Sequence, residues 1–207
     1  MLGMIYERGL FDFDGTLTQP GAIDFLAIKE EIECPHDMAI LEYIKLQPPK
    51  KQVVLTKILE GHEAEAARLS IPNQGAEVCL STLKGRGVPI GIITRNSLKS
   101  VTLALQQFDS IECRDFDVVI TREAALPKPS PEGVFKAASS MGCLAEELMV
   151  VGDFRFDVIA GKRAGAKTVL LTNGGKSSMA PGDPIPDYVC GDLNEVVEIV
   201  LVTVTSL

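Results

Sequence analysis

From residue 73 onward the chain alternates two kinds of segment. One kind carries apolar side chains three and four residues apart, as in Leu98, Val101, Leu105 and Phe108. That repeat belongs to a helix buried along one face. The other kind is a short unbroken run of aliphatic and β-branched residues. Such runs occur at residues 88–93 (VPIGII), 117–120 (DVVI), 148–151 (LMVV) and 167–171 (KTVLL), with a last short one at 188–190. Helices are predicted over residues 76–84, 97–108, 132–141 and 156–164. The first stops at Gly85-Arg86-Gly87, the third opens at Ser130-Pro131 and the fourth stops at Gly165. Strands without polar alternation, separated by helices, imply an α/β fold. Its parallel sheet is covered by helices on both faces. Residues 10–13 (LFDF) supply its first strand.

Residues 18–72 break this rhythm. They are rich in Glu, Lys, Ala and Leu, lack any VVI-type run, and contain the loop Gln47-Pro48-Pro49-Lys50-Lys51. Their periodicity predicts three helices, over 23–32, 38–46 and 53–68. The expected organisation is a core of residues 1–17 and 73–207, interrupted by a helical insertion over 18–72. Starting directly after the first strand, the insertion is placed to act as a lid, or cap domain.

Composition narrows the function class. The chain has 207 residues, 20 Lys+Arg against 28 Asp+Glu, and a formal net charge of −8. An acidic balance speaks against nucleic acid and anionic membranes, which need clustered Lys and Arg. The apolar stretch at 196–204 is broken by Glu198 and Thr203 and is too short to span a bilayer. The five cysteines, Cys34, Cys79, Cys113, Cys143 and Cys190, are scattered and never form a CxxC pair. They read as free thiols in a reducing compartment. With no long apolar stretch near the N-terminus to suggest a signal peptide, a cytoplasmic location is expected.

Four constellations could carry chemistry. The first is Phe11-Asp12-Phe13-Asp14-Gly15-Thr16-Leu17-Thr18. On a strand, Asp12 and Asp14 point to one side, and two carboxylates at a strand's carboxyl end suit a hard divalent cation. Gly15 permits a sharp turn that leaves amides free for an anion. The same residues also suit a strand end with an Asp-Gly turn. The second, Val151-Gly152-Asp153-Phe154-Arg155-Phe156-Asp157, follows another strand, where Asp153 could share the metal. Asp157 could equally charge a helix N-terminus. The third, Thr94-Arg95-Asn96-Ser97, offers a hydroxyl and amides to a phosphate oxygen, yet Asn96 or Ser97 is also an ordinary N-cap. The fourth presents Lys128 between Pro127 and Pro129, a rigidly held charge or a solvated loop lysine.

In this order, each after an apolar run, these constellations resemble the haloacid dehalogenase superfamily. The resemblance covers residues 4–18 and 73 to about 175. It implies a Rossmann-like sheet with a helical cap inserted after the first constellation. It implies Asp12 as a nucleophile that becomes phosphorylated and Asp14 as acid/base. Thr94, Arg95 and Lys128 would face the phosphate. Asp12, Asp14 (through its carbonyl) and Asp153 would hold Mg²⁺, with Asp157 supporting Lys128 or the metal shell. The expected activity is Mg²⁺-dependent hydrolysis of a small phosphorylated metabolite. The other readings are a sugar-phosphate mutase of the β-phosphoglucomutase kind, and a binding module on the same fold.

Remaining features weigh less. Gly175-Lys176-Ser177 resembles the end of a P-loop, but Leu170 stands where the earlier glycine is needed. His36 and His62 lie in the insertion and read as surface residues. Arg155, beside the second constellation, either adds positive field to the site or pairs with a surface acid. Oligomeric state leaves no trace in the sequence.

Overall fold

The computed structural model describes residues 8–205, and the side chains of residues 8–201. The terminal residues 1–7, 206 and 207, assigned to the core by sequence, lie outside the described residues. Strand β1 (Arg8–Phe11) opens the chain and is followed by three helices, α1 (Phe25–Glu31), α2 (Ile40–Lys45) and α3 (Pro49–Arg68). Then come α4 (Ala76–Gly85), β2 (Ile90–Ile93), α5 (Leu98–Leu105), β3 (Val118–Ile120), α6 (Glu132–Ser140) and β4 (Leu148–Gly152). The chain closes with α7 (Arg155–Ala164), β5 (Lys167–Leu171), β6 (Tyr188–Cys190) and α8 (Leu193–Thr205).

The six strands form one parallel sheet in the order β3-β2-β1-β4-β5-β6. The Rossmann-like α/β expectation is met. The pleat divides the apolar runs between two cores, because successive side chains leave opposite faces of a strand. In β4, Met149 and Val151 join the cluster under α4, α5 and α8, whereas Leu148 and Val150 join the one under α6 and α7. Strand order turns back between β1 and β4, whose carboxyl ends therefore leave a crevice between them. A third apolar cluster belongs to α1–α3 and is built on Ile28, Ile32, Ile44, Leu55 and Leu59.

Four expectations change. First, β1 ends at Phe11, so Asp12 and Asp14 stand in the turn beyond the strand rather than on it. Asp12 still extends the ladder by one bond, its amide donating to Val151 O at 2.8 Å. Second, α3 begins at Pro49, inside the segment expected to be a loop. Proline suits the first helical position, where its missing N–H has no partner to lose. Third, α8 was not foreseen. Its buried residues Leu193, Val196 and Val200 cover the sheet beside α4. Fourth, α6 is capped by Pro131 rather than Ser130, whose Oγ accepts from Glu132 N at 3.3 Å. All five cysteines are free. Among the described residues, no helix is long and apolar enough to cross a membrane.

Leu83 on α4 is fully buried in the first cluster. Leu83→Ala is expected to lower the unfolding free energy by about 2–5 kcal/mol, the usual cost of a buried leucine cavity. Urea titration of the two proteins measures it.

Candidate active site

The crevice between β1 and β4 collects most of the candidate residues. Lys128 arrives on the loop after β3. It is buried, with Nζ 2.5 Å from Asp12 Oδ1, 2.5 Å from Asp157 Oδ1 and 2.9 Å from Ile93 O. Carboxylate oxygens of Asp12, Asp153 and Asp157 lie within 4.8 Å of one another. Three acids thus surround one ammonium. The electrostatics follow from that count. Burial, then Asp12 and Asp157, push the Asp153 carboxyl up to about 8. Burial and then Asp12 push Asp157 up to about 6. Burial works to lower the Lys128 ammonium, but Asp12 and Asp157 more than offset it and its pKa is raised.

Two glycines make this crowding possible. A Cβ on Gly15 would stand 2.3 Å from Asp153 Oδ2, and one on Gly152 would stand 2.2 Å from Asp157 Cγ. Gly15 also adopts φ +75°, which a side chain disfavours. Beyond it, the amides of Thr16, Leu17 and Thr18 converge on Phe13 O at 3.3, 2.9 and 3.0 Å. Those three amides are therefore spent on the turn and do not face an anion. The Thr16 hydroxyl lies 3.3 Å from Asp153 Oδ1, to which it donates. Clustered carboxylates short of positive charge are the donor set of a hard divalent cation, so the residues present fit one.

Asp14 stands apart from this trio. Asn96 Nδ2 donates to its Oδ2 at 2.6 Å. Burial and then the charge of Asp12 push its carboxyl up to about 7, against the Asn96 hydrogen bond. Asn96 is free for this because the next residue caps α5, with Ser97 Oγ accepting from Ser100 N at 3.2 Å. Thr94 is buried, and its Oγ1 accepts from Asn96 N at 3.1 Å.

Arg95, expected on the phosphate, is held elsewhere. Its guanidinium forms a two-pronged pair with Glu42 of α2, at 3.0 Å to Oε1 and 2.6 Å to Oε2. It also donates to Lys128 O and lies over the Phe156 ring, 5.1 Å from its centroid. Burial works to raise the Glu42 carboxyl, but Arg95 outweighs it and the pKa is lowered. Arg155 resolves toward pairing, with Nε donating to Asp183 Oδ2 at 2.8 Å. His62 lies at the surface, 2.7 Å from Glu31. His36 is exposed too, but at the rim of the cavity above the acids.

Several supporting residues had no counterpart in the sequence reading. Asn73 Nδ2 donates to Thr16 O and to Asn173 Oδ1, both at 2.9 Å, and Asn173 Nδ2 donates to Gly15 O at 2.7 Å. Ser178 Oγ donates to Asp153 O at 2.9 Å. The polar loop after β5 thus fixes the backbone of both acid-bearing turns. Glu63 of α3 is buried, paired with Arg122 and hydrogen-bonded by Ser100 Oγ at 3.3 Å. Burial raises its pKa despite Arg122. One signal was available for Asn96: two cap-capable residues stand side by side, and only one can cap.

Comparison with known proteins agrees with this geometry. Residues 19–171 match the model of the haloacid dehalogenase-like hydrolase family. A haloacid dehalogenase-like hydrolase domain-containing protein of Arabidopsis thaliana is 34% identical over 183 residues, covering 82% of this chain and 72% of that one. A pyrophosphatase of Halalkalibacterium halodurans is 27% identical over 206 residues, covering 92% and 95%. The crystal structure of a hydrolase from Pseudomonas syringae superposes with a TM-score of 0.75 at 22% identity, covering 94% of this chain and 99% of that one. With its acids gathered at the β1–β4 crevice and its matched span covering most of the sequence, the chain belongs to the haloacid dehalogenase-like hydrolase family.

Proposed function

We propose that this protein is a Mg²⁺-dependent phosphatase that hydrolyses a small phosphorylated metabolite through a phosphorylated Asp12. The observation that carries the reading is the buried Lys128 ammonium, 2.5 Å from Asp12 and 2.5 Å from Asp157, with Asp153 beside them. A buried ammonium carries three N–H donors, and two of its three partners here are carboxylates that cluster with a third acid. A lysine shared between acids at the sheet's ligand-binding edge suits a group that carries several negative oxygens.

Asp12 is the nucleophile. Its carboxylate oxygen bonds to phosphorus as the ester P–O bond breaks, and the departing oxygen takes a proton from Asp14. Asp14 then takes a proton from water, whose oxygen attacks the same phosphorus. The bond to Asp12 breaks, inorganic phosphate leaves and the carboxylate is restored. Two displacements replace one harder step. Asn96 holds Asp14 in place for both transfers. Thr94 and Lys128 face the equatorial oxygens, where preorganised positive charge and dipoles stabilise the developing charge. Arg95, already engaged by Glu42, forms wall rather than phosphate contact. A divalent cation held by Asp12, Asp153 and the Asp14 carbonyl supplies the charge neutralisation that lets one anion attack another.

Residues 18–72 act in this reading as the cap over a core of 1–17 and 73–207. A closed cap excludes water from the acyl phosphate. The similarity to a pyrophosphatase of Halalkalibacterium halodurans supports phosphoryl chemistry as the shared capability. Five free thiols accord with a reducing, cytoplasmic setting.

Three outcomes test the proposal. Release of inorganic phosphate from p-nitrophenyl phosphate with Mg²⁺ is expected to fall by about 10³-fold or more in Asp12→Asn. Isomerisation of a sugar monophosphate without net phosphate release would favour a mutase instead. Asp14→Ala is expected to keep metal affinity, read by calorimetric titration, while turnover drops by about 10²–10⁴-fold. Near wild-type rates would remove Asp14 from the acid/base role. Chelation with EDTA is expected to abolish phosphate release, and added Mg²⁺ to restore it.

A further inference from the structure

The cavity above the acids measures about 520 Å³, the size of a site that encloses a drug-sized molecule. A two-carbon leaving group would occupy a small part of it. Its walls differ in kind from its floor. Phe25, Met38, Leu41 and Leu59 face it from the helical insertion, Phe154 from the turn after β4 and Phe156 from the first turn of α7. The last two rings meet edge to face with centroids 5.0 Å apart. Phe25 and Phe154 remain 53% and 44% exposed, so their apolar surface is not consumed by the core. Exposed aromatic surface gathered around a concave site marks where an apolar ligand body is covered.

The charges bordering the cavity point the same way. Lys128 is shared by Asp12 and Asp157 on the floor. Arg95 is taken by Glu42 in both of its prongs. Arg155 is taken by Asp183, a carboxylate from the loop after β5. That leaves Lys29, whose Nζ donates to His36 O at 2.6 Å, and Asp37 faces the same cavity with the opposite sign. The floor is built for one phosphoryl group. Lys29 is opposed by Asp37 on the same wall, and away from it and the exposed His36 ring a second anionic group would have to break an arginine–carboxylate pair or lie against phenylalanine, methionine and leucine, both of which are costly.

We infer, on the phosphatase reading above, that the substrate is a phosphate monoester of an uncharged alcohol with a bulky apolar or aromatic body. Pyrophosphate, bisphosphates and phosphorylated carboxylic acids carry the second charge that these walls do not answer. Specificity then resides in Phe25 and Leu41, on the insertion side, which the alcohol covers when the phosphoryl group rests on Lys128.

Steady-state phosphate release by the full chain with Mg²⁺ tests this on four substrates: benzyl phosphate, ethyl phosphate, 2-phosphoglycolate and pyrophosphate. The first three esters leave as primary alcohols, so the comparison reads the pocket rather than leaving-group chemistry. The expected kcat/KM for benzyl phosphate exceeds each of the others by about tenfold or more. Phe25→Ala and Leu41→Ala are expected to lower that value about tenfold, chiefly through KM. Phe25 is exposed enough that its loss leaves folding intact, which far-ultraviolet circular dichroism checks. A higher kcat/KM for 2-phosphoglycolate or pyrophosphate overturns the inference. So does ethyl phosphate matching benzyl phosphate, or p-nitrophenyl phosphate being cleaved while benzyl phosphate is not. In those cases the phosphatase reading stands. Release from none of the substrates, p-nitrophenyl phosphate included, overturns that reading and this inference with it.

Discussion

The site rests on one buried ammonium. Lys128 Nζ ties the turn after β1, through Asp12, to the start of α7, through Asp157, and to the end of β2, through Ile93 O. Without it, three carboxylates whose oxygens lie within 4.8 Å would be left facing one another. At an effective dielectric of 20, each such charge pair repels by about 3 kcal/mol. That repulsion is of the size of a fold's whole margin once it is summed over the cluster. The lysine removes part of it, and the Asp153 and Asp157 carboxyls stay raised, first by burial and then by their acidic neighbours. Such a cluster would favour a divalent cation. On the proposed reading, stability and chemistry share one cause: the acids are tolerable together only beside the positive charge that would also meet a phosphoryl group.

Much of this was legible in the chain. The unbroken runs at 88–93, 117–120, 148–151 and 167–171 are read correctly as parallel strands, because a strand buried on both faces has no polar alternation to imitate a loop. The acids and Lys128 were legible since each follows such a run, and ligands of open α/β sheets gather at the carboxyl ends. The losses have equally physical reasons. The spacing of Asp12 and Asp14 reads as a strand, but the ladder stops at Phe11 and the turn governed by Gly15 takes over. Pro48-Pro49 reads as a breaker, yet the second proline sits at a helix start, where no amide is lost. The C-terminal helix lacks a lysine-rich or capped outline and looked merely apolar. Asn73, Asn173 and Ser178 act through main-chain carbonyls of residues far off in sequence, as Asn173 does on Gly15. Bonds of that kind have no periodic signature.

Two arginines explain how the insertion is held over the crevice. Arg95 follows β2 and grips Glu42 on α2, and Arg122 follows β3 and grips Glu63 on α3. Both arise from turns at the same sheet edge as the acids, so docking of the insertion and shape of the site are set together. The two pairs differ: Arg95 holds the Glu42 carboxyl low against burial. Burial raises the Glu63 carboxyl in spite of its partner, which means that the desolvation cost is not fully recovered. What such pairs give is position: a two-pronged guanidinium fixes orientation as well as distance. Arg95 adds to this by lying over Phe156, so one residue braces α2 and the aromatic wall at once.

This use of arginine changes the meaning of the acidic composition. A net charge of −8 looks unsuited to an anionic substrate only if charges act as a pool. Here they act in pairs. Glu42, Glu63 and Asp183 each neutralise an arginine near the site, so the guanidiniums that could have bound a second anion serve structure instead. On the proposed reading, the positive charge left for a ligand would lie at Lys128 and at a cation held by the acids, with Lys29 opposed by Asp37 on the wall. Above that point aromatic and aliphatic surface adjoins Lys29, Asp37 and the paired arginines. Affinity for the rest of the ligand must then come from covering apolar area, a non-directional force that selects for bulk and against charge. On the proposed reading, an acid-rich chain would thus act on an anion while rejecting those with more than one charged end.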